Sequence, residues 1–215
     1  MRKGAKIYEV GSGAGTLAAY LNRNGFDCTA TEITKERGQK KAAPGQEGLH
    51  WHQTDGVHLD HFEQPGSYDY VLSDQVVEHL HPEDILTHFR TARALLKPGG
   101  SYFVRTPHRR FGPHDLSRVF KLKRPVFMHL HEFNYLEFAS IARECGYSRV
   151  LAVTNLGPIS RKMGWYKASR AWYFYMNLLD RMEGTVCRSN AARERYRRLA
   201  RFLLSPSNVW LRLDR

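Results

Sequence analysis

The sequence predicts an α/β fold, a doubly wound and mostly parallel sheet with helices on both faces. Short apolar runs of strand length alternate with helical runs through the first 155 residues. Glycine, proline and polar residues separate these runs, as turns between strands and helices require. Two basic helical runs and a last apolar run then break the alternation. We therefore expect a core at 1–155, a helical insertion or lid at 156–204, and a terminal strand of the same domain at 205–215.

Seven strands and their connecting helices follow from the order of these runs. The strands are expected at 6–10, 28–33, 49–55, 68–74, 101–107, 148–154 and 208–213. Helices are expected at 16–25, where Gly25 is a stop signal, and at 34–43. A third helix has Pro82 in its first turn and glycines past its end, and a fourth, at 134–146, has Asn134 as its cap. The runs at 164–182 and 190–204 predict two further helices.

The chain of 215 residues carries a formal net charge of +12, and much of the excess lies in "RSNAARERYRRLAR". This balance indicates an anionic partner, such as nucleic acid, a phospholipid surface or an acidic glycan, or else a solvated basic face. The three cysteines form no CxxC pair, which argues against a disulfide framework and a thiolate zinc site. No apolar stretch predicts a transmembrane helix or a secretory signal, and we expect a cytoplasmic protein. The basic, aromatic run at 164–182 also allows peripheral contact with a membrane.

A glycine-rich turn follows the first predicted strand in "YEVGSGAGTL", residues 8–17. Gly11, Gly13 and Gly15 let the backbone turn sharply and approach a ligand closely. The dinucleotide fingerprint requires G-x-G-x-x-G, and here the third glycine comes one residue too early. The spacing of the glycines therefore argues against a nicotinamide cofactor.

Acidic residues end the next three predicted strands. Glu32 ends the second strand, where a carboxylate can accept two hydrogen bonds from a ribose diol. Asp55, followed by Gly56, ends the third strand and is placed to meet an exocyclic amine of a base. Asp74 ends the fourth strand, beside the expected reactive end of a ligand. Each of these residues alone is more often a cap or a solvated strand end, but their order along the chain favours a ligand site.

With these residues in order, the chain resembles the class I S-adenosylmethionine-dependent methyltransferases, of the broad small-molecule, methyltransferase type 11-like kind. The resemblance covers residues 5–153 and rests on "YEVGSGAG", "ATEIT", "QTDGVHL", "YDYVLSDQVVEHL" and "LLKPGGSYFVRTPH". It implies a Rossmann-like sheet of seven strands, with S-adenosylmethionine as cofactor and S-adenosylhomocysteine as product. The cofactor-binding residues that it implies are Glu9, Gly11, Ser12, Gly13, Gly15, Glu32, Ile33, Asp55, Gly56, Asp74, Gln75 and Val76.

The start of the chain departs from the family pattern. Family members carry some tens of residues before the first motif, and these form helices that help to cover the substrate. Here the first motif begins almost at once. The resemblance therefore implies either that the C-terminal helices replace this cover or that the chain is shortened.

Methyl transfer is a direct displacement at a carbon bonded to positive sulfur, so it depends on alignment of the reacting atoms and does not require a metal. An oxygen nucleophile also gains from a general base, and histidine suits that role near neutral pH. The candidate bases are His108 at the rim beyond the fifth strand, His131 before the fourth helix, and His79 after the fourth strand. In the family the position of His79 often supports the loop instead.

Basic residues at or beyond the fifth strand are candidates for binding the acceptor. They are Arg105, Arg109 and His114. Because arginine pairs with a carboxylate or phosphate through two hydrogen bonds, the pattern favours an anionic small molecule; a role in solubility is the alternative. The neighbouring histidines show no recognised metal-ligand spacing such as HExxH, and we expect no metal.

The leading hypothesis is a methyltransferase that acts on an oxygen, or with less support a nitrogen, of a small metabolite or a glycan or lipid precursor. The net charge motivates an RNA methyltransferase as an alternative. However, "SDQV" stands after the fourth strand, where base methylation would call for an Asn-Pro-Pro-Tyr-like segment, so nucleic acid is not the favoured partner. A noncatalytic cofactor-binding or scaffold subunit is the alternative from another class. The sequence does not predict the oligomeric state.

Overall fold

The computed structural model describes residues 2–39, 49–122, 124–154, 166–187, 189–202 and 207–215. The described strands are β1 (Lys6–Val10), β2 (Asp27–Glu32), β3 (His50–Gln53), β4 (Tyr68–Asp74), β5 (Leu96–Pro107), β6 (Arg149–Val153), β7 (Ala168–Ser169) and β8 (Asn208–Asp214). They form one sheet in the order β3-β2-β1-β4-β5-β8-β6-β7. The five strands from β3 to β5 in this order run parallel, whereas β8 is antiparallel to both β5 and β6.

The helices cover both faces of this sheet. They are α1 (Thr16–Arg23), α2 (Ile85–Leu95), α3 (Tyr135–Glu144), α4 (Arg170–Val186) and α5 (Asn190–Phe202). Successive side chains of a strand point to opposite faces, so Ile7 packs in the core with α1, whereas Tyr8 packs in the core with α2, α3 and α4. The doubly wound α/β fold, with helices before the last strand, is confirmed. None of the described helices is long and apolar enough to cross a bilayer.

The seven predicted strands are present, and an eighth, β7, was missed. Ala168 and Ser169 fall in a run that the sequence pattern assigned to a helix. Ser169 instead caps α4, because its hydroxyl oxygen accepts a hydrogen bond from the backbone nitrogen of Trp172 at 3.4 Å. The helix therefore begins at Arg170, later than predicted. The predicted start of this helix, at 164–165, lies outside the described residues. The predicted end of the following helix, at 203–204, lies outside them as well.

The helix predicted at 34–43 is wrong in its described part. Residues 35–38 form turns, in which the backbone nitrogens of Arg37 and Gly38 both donate to the carbonyl oxygen of Thr34 at 3.2 Å. Gly38 has low helix propensity, and a Cβ there would lie 2.8 Å from Trp51 and 2.9 Å from Glu32. The segment thus follows the sheet edge closely instead of forming a regular helix. Residues 40–43 lie outside the described residues.

A bulge in β5 sets the register of the strand ends. Tyr68 of β4 pairs with Leu96, but Tyr70 pairs with Ser101, so the "KPGG" segment is accommodated opposite a single residue of β4. β5 accordingly begins earlier than predicted. From Ser101 onward the two strands stay in register, and Asp74 lies beside Arg105.

Candidate active site

The glycine turn between β1 and α1 adopts the left-handed conformation at three positions. The φ angle is +65° at Gly11, +54° at Gly13 and +75° at Gly15, a region that other residues rarely occupy. A Cβ at Gly11 would lie 2.7 Å from Val76, and a Cβ at Gly15 would lie 2.7 Å from Trp51. Both the conformation and the close packing of the turn therefore require glycine.

Ser12 joins this turn to the neighbouring strand. Its backbone nitrogen donates to the carbonyl oxygen of Thr31 at 2.8 Å, and its hydroxyl oxygen accepts from the backbone nitrogen of Thr31 at 2.9 Å. The same hydroxyl donates to the carbonyl oxygen of Glu9 at 3.0 Å. The turn is thus held against β2, which presents the glycine backbone at the carboxyl edge of the sheet.

Glu9 is buried beneath the turn. Its side-chain Oε2 atom has no hydrogen-bond partner among the described residues. Burial raises the pKa of Glu9 to about 7. A buried carboxyl oxygen without a partner is unfavourable in a folded protein, so this atom marks a position that a cationic or hydrogen-bonding ligand group would satisfy.

Glu32 ends β2 and faces the same turn. Its Oε1 atom accepts from the backbone nitrogen of Gly13 at 3.0 Å, and its Oε2 atom accepts from the backbone nitrogen of Ile33 at 3.1 Å. Each carboxylate oxygen has a second lone pair for a ligand hydroxyl. The side chain of Ile33 is exposed, so an apolar surface lies beside the carboxylate.

Asp55 is engaged within its own turn. Its Oδ1 atom accepts from the backbone nitrogens of Val57 and His58 at 2.7 Å, and its Oδ2 atom lies 2.8 Å from Nδ1 of His58. Partial burial acts to raise the pKa of Asp55, but these hydrogen bonds outweigh it and hold the pKa below its ordinary value. Gly56 follows with a φ of +76°, and its carbonyl oxygen lies 2.7 Å from Nδ1 of the buried His88. Asp55 therefore shapes the end of β3, and its contact with a base stays a prediction.

Asp74 ends β4 and pairs with Arg105. The guanidinium of Arg105 also lies over the ring of Trp210, at 5.6 Å from the centroid. Arg105 was predicted to bind an anionic acceptor, but in this structure its hydrogen-bonding edge faces Asp74. Gln75 has a φ of 57°, which is rare for a side-chain-bearing residue, and its backbone nitrogen donates to the carbonyl oxygen of Arg105 at 2.8 Å. Such conformations concentrate at functional sites.

A cavity of about 550 Å³ lies beyond the end of β5, against α4 and α5. Its basic lining consists of Arg109, Arg110, Arg124, Arg193 and Arg197. Arg109 pairs with Glu137 at 3.3 Å, whereas no carboxylate of the described residues pairs with Arg124 or Arg193. The cavity therefore offers positive charge to a ligand. Of the three predicted acceptor residues only Arg109 lines it, since Arg105 faces Asp74 and His114 bonds to Glu132.

Two of the candidate bases lie near open space. His79 is exposed, and its Nδ1 atom is 2.7 Å from the carbonyl oxygen of Met128. A carbonyl oxygen only accepts, so Nδ1 carries a proton, and in the neutral ring the lone pair is then on Nε2. His131 lines the cavity, and its Nε2 atom lies 2.5 Å from Oε1 of Glu137.

The structure corrects the position of His108, which was predicted at an open rim. The residue is 0% exposed. Its Nδ1 atom accepts from the backbone nitrogen of Arg110 at 2.9 Å, and its Nε2 atom lies 3.1 Å from Oδ1 of Asp180. Both ring nitrogens are therefore engaged inside the protein. Asp180 comes from α4, far along the chain, and no local pattern indicates this contact.

The fold brings Glu78 and His129 to His79, a grouping that the sequence patterns did not predict, although His129 was among the histidines considered as metal ligands. Glu78 is buried, its Oε2 atom accepts from the hydroxyl of Thr106 at 3.0 Å, and its Oε1 atom has no partner among the described residues. The three residues offer ligand atoms within 4.8 Å of one another. This composition suits the transfer of a proton or the binding of a divalent cation. Spacing rules such as HExxH do not find a group whose members come from two distant segments.

A family model described as a methyltransferase domain matches residues 2–152 of this chain. The chain belongs to the class I S-adenosylmethionine-dependent methyltransferases. This methyltransferase is 32% identical over 115 residues to the ubiquinone biosynthesis O-methyltransferase of Xanthomonas campestris pv. campestris, a match that covers 49% of this chain and 44% of the relative. It is 35% identical over 114 residues to the enzyme of the same name from Paramagnetospirillum magneticum, covering 50% and 42%. The match thus spans less than half the length of these relatives.

Solved structures show the same fold. A methyltransferase from Archaeoglobus fulgidus aligns with a TM-score of 0.62 at 14% identity, over 98% of this chain and 86% of that protein. Phosphoethanolamine N-methyltransferase 2 of Haemonchus contortus, solved with S-adenosylmethionine, aligns with a TM-score of 0.60 at 16% identity, over 100% of this chain and 49% of that protein. These structural similarities support the fold of the methyltransferase. They do not identify the molecule that accepts the methyl group.

The turn of this methyltransferase fits S-adenosylmethionine, the cofactor of the family. The partnerless oxygen of Glu9 suits the ammonium group of the methionine portion. A Cβ at Gly13 would meet nothing within 4 Å, so the backbone of the turn borders open space at this residue and a ligand can approach it closely. The carboxylate of Glu32 suits the ribose hydroxyls, and the exposed Ile33 beside it suits a flat base.

Proposed function

We propose that this methyltransferase methylates an oxygen atom of an anionic small molecule, with His79 as the general base. The observation that carries the proposal is the distance of 2.7 Å between Nδ1 of His79 and the carbonyl oxygen of Met128. Of the two neutral tautomers, this hydrogen bond favours the one with its lone pair on Nε2, which is the nitrogen that can accept a proton. His79 also lies three residues beyond Val76, the last of the residues expected to border the sulfonium.

The cavity beyond β5 supports an anionic acceptor. Its volume of about 550 Å³ falls within the range of small-molecule sites, and Arg124 and Arg193 offer charge that no carboxylate of the described residues neutralises. Leu130 lines this cavity, and its backbone nitrogen donates to the carbonyl oxygen of Glu78 at 2.7 Å. That bond joins the cavity wall to the turn that carries His79. The names of the relatives, ubiquinone biosynthesis O-methyltransferases, support oxygen as the acceptor atom.

When bound, S-adenosylmethionine supplies an activated methyl group on positive sulfur. The residues of this chain hold and orient the reactants. Glu9 and Glu32 bind the polar ends of the cofactor, and the glycine turn permits its close approach. Arg124 and Arg193 attract the anionic group of the acceptor, and Nε2 of His79 takes the proton from its hydroxyl. A correctly placed base contributes typically about 10²–10⁴-fold to such a reaction.

A pair of histidine variants tests the base. His79→Gln should lower kcat by about 10²–10⁴-fold, while calorimetry shows unchanged affinity for S-adenosylhomocysteine. His81→Gln is the matched control, since His81 is an exposed histidine in the same segment. Full activity of the His79→Gln protein would show that His79 is not the general base. Turnover that is lost on chelation and restored by a divalent cation would instead make His79 a metal ligand, together with Glu78 and His129.

A labelled methyl donor tests the acceptor class. We expect methylation of a hydroxybenzoate in preference to the corresponding uncharged phenol, and we expect Arg124→Gln to reduce that preference by raising KM for the anion. Arg195→Gln is the control, because Arg195 is exposed on α5 and does not line the cavity. Equal use of the charged and uncharged compounds, or preferential labelling of RNA, would overturn the proposed acceptor.

A further inference from the structure

The segment before α3 displays an apolar surface to solvent. We call residues 116–122 and 124–130 the apolar loop. Among the described residues eighteen large apolar side chains are exposed, and eight of these lie in this loop. They are Leu116, Val119, Phe120, Leu122, Val126, Phe127, Met128 and Leu130. Such concentration in one short segment is unusual for a surface that faces only water.

The polar groups at the base of the apolar loop hold it in this shape. Oδ2 of Asp115 accepts from the backbone nitrogens of Phe127 and Met128, both at 3.2 Å. The hydroxyl of Ser117, which is buried, accepts from the backbone nitrogen of Val126 at 2.9 Å. These bonds tie the two arms of the loop together from the inside. The loop therefore satisfies its backbone internally while its apolar side chains stay outside.

Aromatic and basic side chains share the outer surface of the apolar loop. The rings of Phe120 and Phe127, one from each arm, lie with their centroids 5.4 Å apart. Arg118, Lys121 and Arg124 are exposed between the apolar residues, and no carboxylate of the described residues pairs with them. The loop therefore combines aromatic and aliphatic side chains with unpaired positive charge.

We propose that the apolar loop docks this protein on an anionic lipid bilayer. Aromatic and aliphatic side chains enter the boundary between headgroups and acyl chains, while lysine and arginine contact anionic headgroups. Lysine is depleted at protein–protein interfaces, whereas arginine is enriched there, so of the three cations only Lys121 argues against a protein partner. A second copy of the chain, joined by a two-fold axis at this loop, would bring the same positive charges together. Charge complementarity thus favours the bilayer.

Docking would also orient the cavity. Arg124 and Leu130 belong to the apolar loop and line the cavity as well. A loop seated in the headgroup layer would therefore set the mouth of the cavity close to the membrane surface, where an anionic acceptor that partitions into lipid is concentrated. This last step rests on the proposed function, whereas the docking itself does not.

Vesicle flotation of the full chain, without cofactor or acceptor, tests the docking. We expect binding to phosphatidylcholine vesicles that contain about one quarter phosphatidylglycerol, and much weaker binding to pure phosphatidylcholine. The double variant Phe120→Ser/Phe127→Ser should lower the binding at least about tenfold. Phe174→Ser is the matched control, since Phe174 on α4 is exposed to 67%, close to the 63% of Phe120. Circular dichroism confirms that each variant is folded.

Charge variants complete the test. Arg118→Gln/Lys121→Gln should weaken binding to the anionic vesicles and flatten its dependence on salt, because fewer cations then meet the headgroups. Arg195→Gln/Arg198→Gln, on α5, should leave binding unchanged. The proposal is overturned if the wild-type chain does not float with anionic vesicles, or if Phe174→Ser loses binding while the loop variant keeps it. It is also overturned if the loop variant changes only the association of the chain with itself, measured by light scattering. Because no methyl transfer is measured, failure here is distinct from failure of the proposed function.

Discussion

Arg105 holds the carboxylate of Asp74 through two hydrogen bonds, from Nε at 2.6 Å and from Nη2 at 2.5 Å. Arg105→Lys keeps the charge but removes this two-point contact. Both side chains are more than one third exposed, so solvent screening limits the effect on stability to less than about 1 kcal/mol. The orientation of Asp74 at the cofactor edge should suffer more, and we expect the Kd of S-adenosylhomocysteine to rise about fivefold in calorimetry.

Arg149→Lys is the control for this variant. Arg149 pairs with Asp214, in which Nη2 lies 2.6 Å from Oδ2, at the end of β6 and β8 far from Asp74, and Asp214 is more buried than Asp74. It should leave the affinity unchanged. An Arg105→Lys protein that binds S-adenosylhomocysteine as well as the wild type does would contradict a role for the Asp74–Arg105 pair in cofactor binding.

The raised pKa of Glu9 predicts a pH-dependent affinity for the cofactor. Because burial raises the pKa of Glu9 to about 7, the carboxyl is largely protonated on the acid side of neutrality. An ammonium group of the ligand requires the ionised form, so binding should release a proton. The affinity for S-adenosylhomocysteine should therefore increase as pH rises from about 6 to about 8, with a slope of up to about tenfold per pH unit on the acid side.

Glu9→Gln keeps the shape of the side chain and removes the titration. Its affinity should be lower at pH 8, and it should vary much less over the same range. Calorimetry in two buffers of different ionisation enthalpy measures the released proton directly. If the variant keeps the slope of the wild type, another group is responsible and Glu9 does not contact the ammonium.

The glycine turn and the carboxylates at the strand ends could be predicted from the sequence because each of them belongs to one short segment. The glycine turn, Glu32 and Asp74 follow directly after apolar runs, and the carboxyl ends of parallel strands meet at one edge of the sheet. Gly11 and Gly15 have left-handed backbones, which is the property that their spacing indicates. Local sequence therefore contained the information about this half of the site.

The surroundings of the candidate bases depend on contacts between distant segments. His108 is buried because Asp180 of α4 reaches it, and His129 meets Glu78 because the backbone nitrogens of Leu130 and His131 donate to the carbonyl oxygen of Glu78. No periodicity or spacing in the sequence expresses these pairings. The same holds for β7, where two residues pair with β6 although the run around them has the pattern of a helix.

Asp180 is predicted to be a stability determinant. Its Oδ1 atom contacts His108 and Arg110, and its Oδ2 atom accepts from the backbone nitrogen of Tyr135 at 2.7 Å at the start of α3. Asp180→Asn removes a buried charge that balances Arg110, although Glu183 still pairs with Arg110 at 2.9 Å. We expect the free energy of unfolding to fall by about 3 kcal/mol, measured by urea denaturation.

Two further variants separate the effect of the Asp180 contacts on stability from a general effect of charge and from catalysis. Glu194→Gln, an exposed carboxylate on α5, should change the free energy of unfolding little. His108→Gln should lower stability but leave the kcat of the folded protein nearly unchanged, in contrast to His79→Gln. If the His108→Gln protein is as stable as the wild type but slow in turnover, His108 becomes a candidate for the general base again.

His88 is predicted to make stability depend on pH in the acid range. It is fully buried, with Nδ1 2.7 Å from the carbonyl oxygen of Gly56 and Nε2 2.7 Å from the hydroxyl of Tyr102. Burial lowers its pKa from 6.5 to about 4. The neutral ring is therefore favoured in the folded state, and its contribution is complete above the unfolded pKa of 6.5. As pH falls from there toward 4, the unfolded chain takes up the proton first, and up to about 3 kcal/mol is lost.

Glu9 acts in the opposite direction, so the wild-type profile alone does not isolate this effect. The raised pKa of Glu9 makes the folded state less stable as pH rises from its ordinary value of 4.5 to about 7. His88→Gln retains a donor for the Gly56 carbonyl and removes the titratable ring, and the loss of the ring's packing lowers stability equally at every pH. The difference in unfolding free energy between the wild type and this variant, measured by urea denaturation at each pH, should shrink toward acid pH. A difference that stays constant across the series would show that His88 is not the group that titrates, because every other ionisable group is shared by the two proteins.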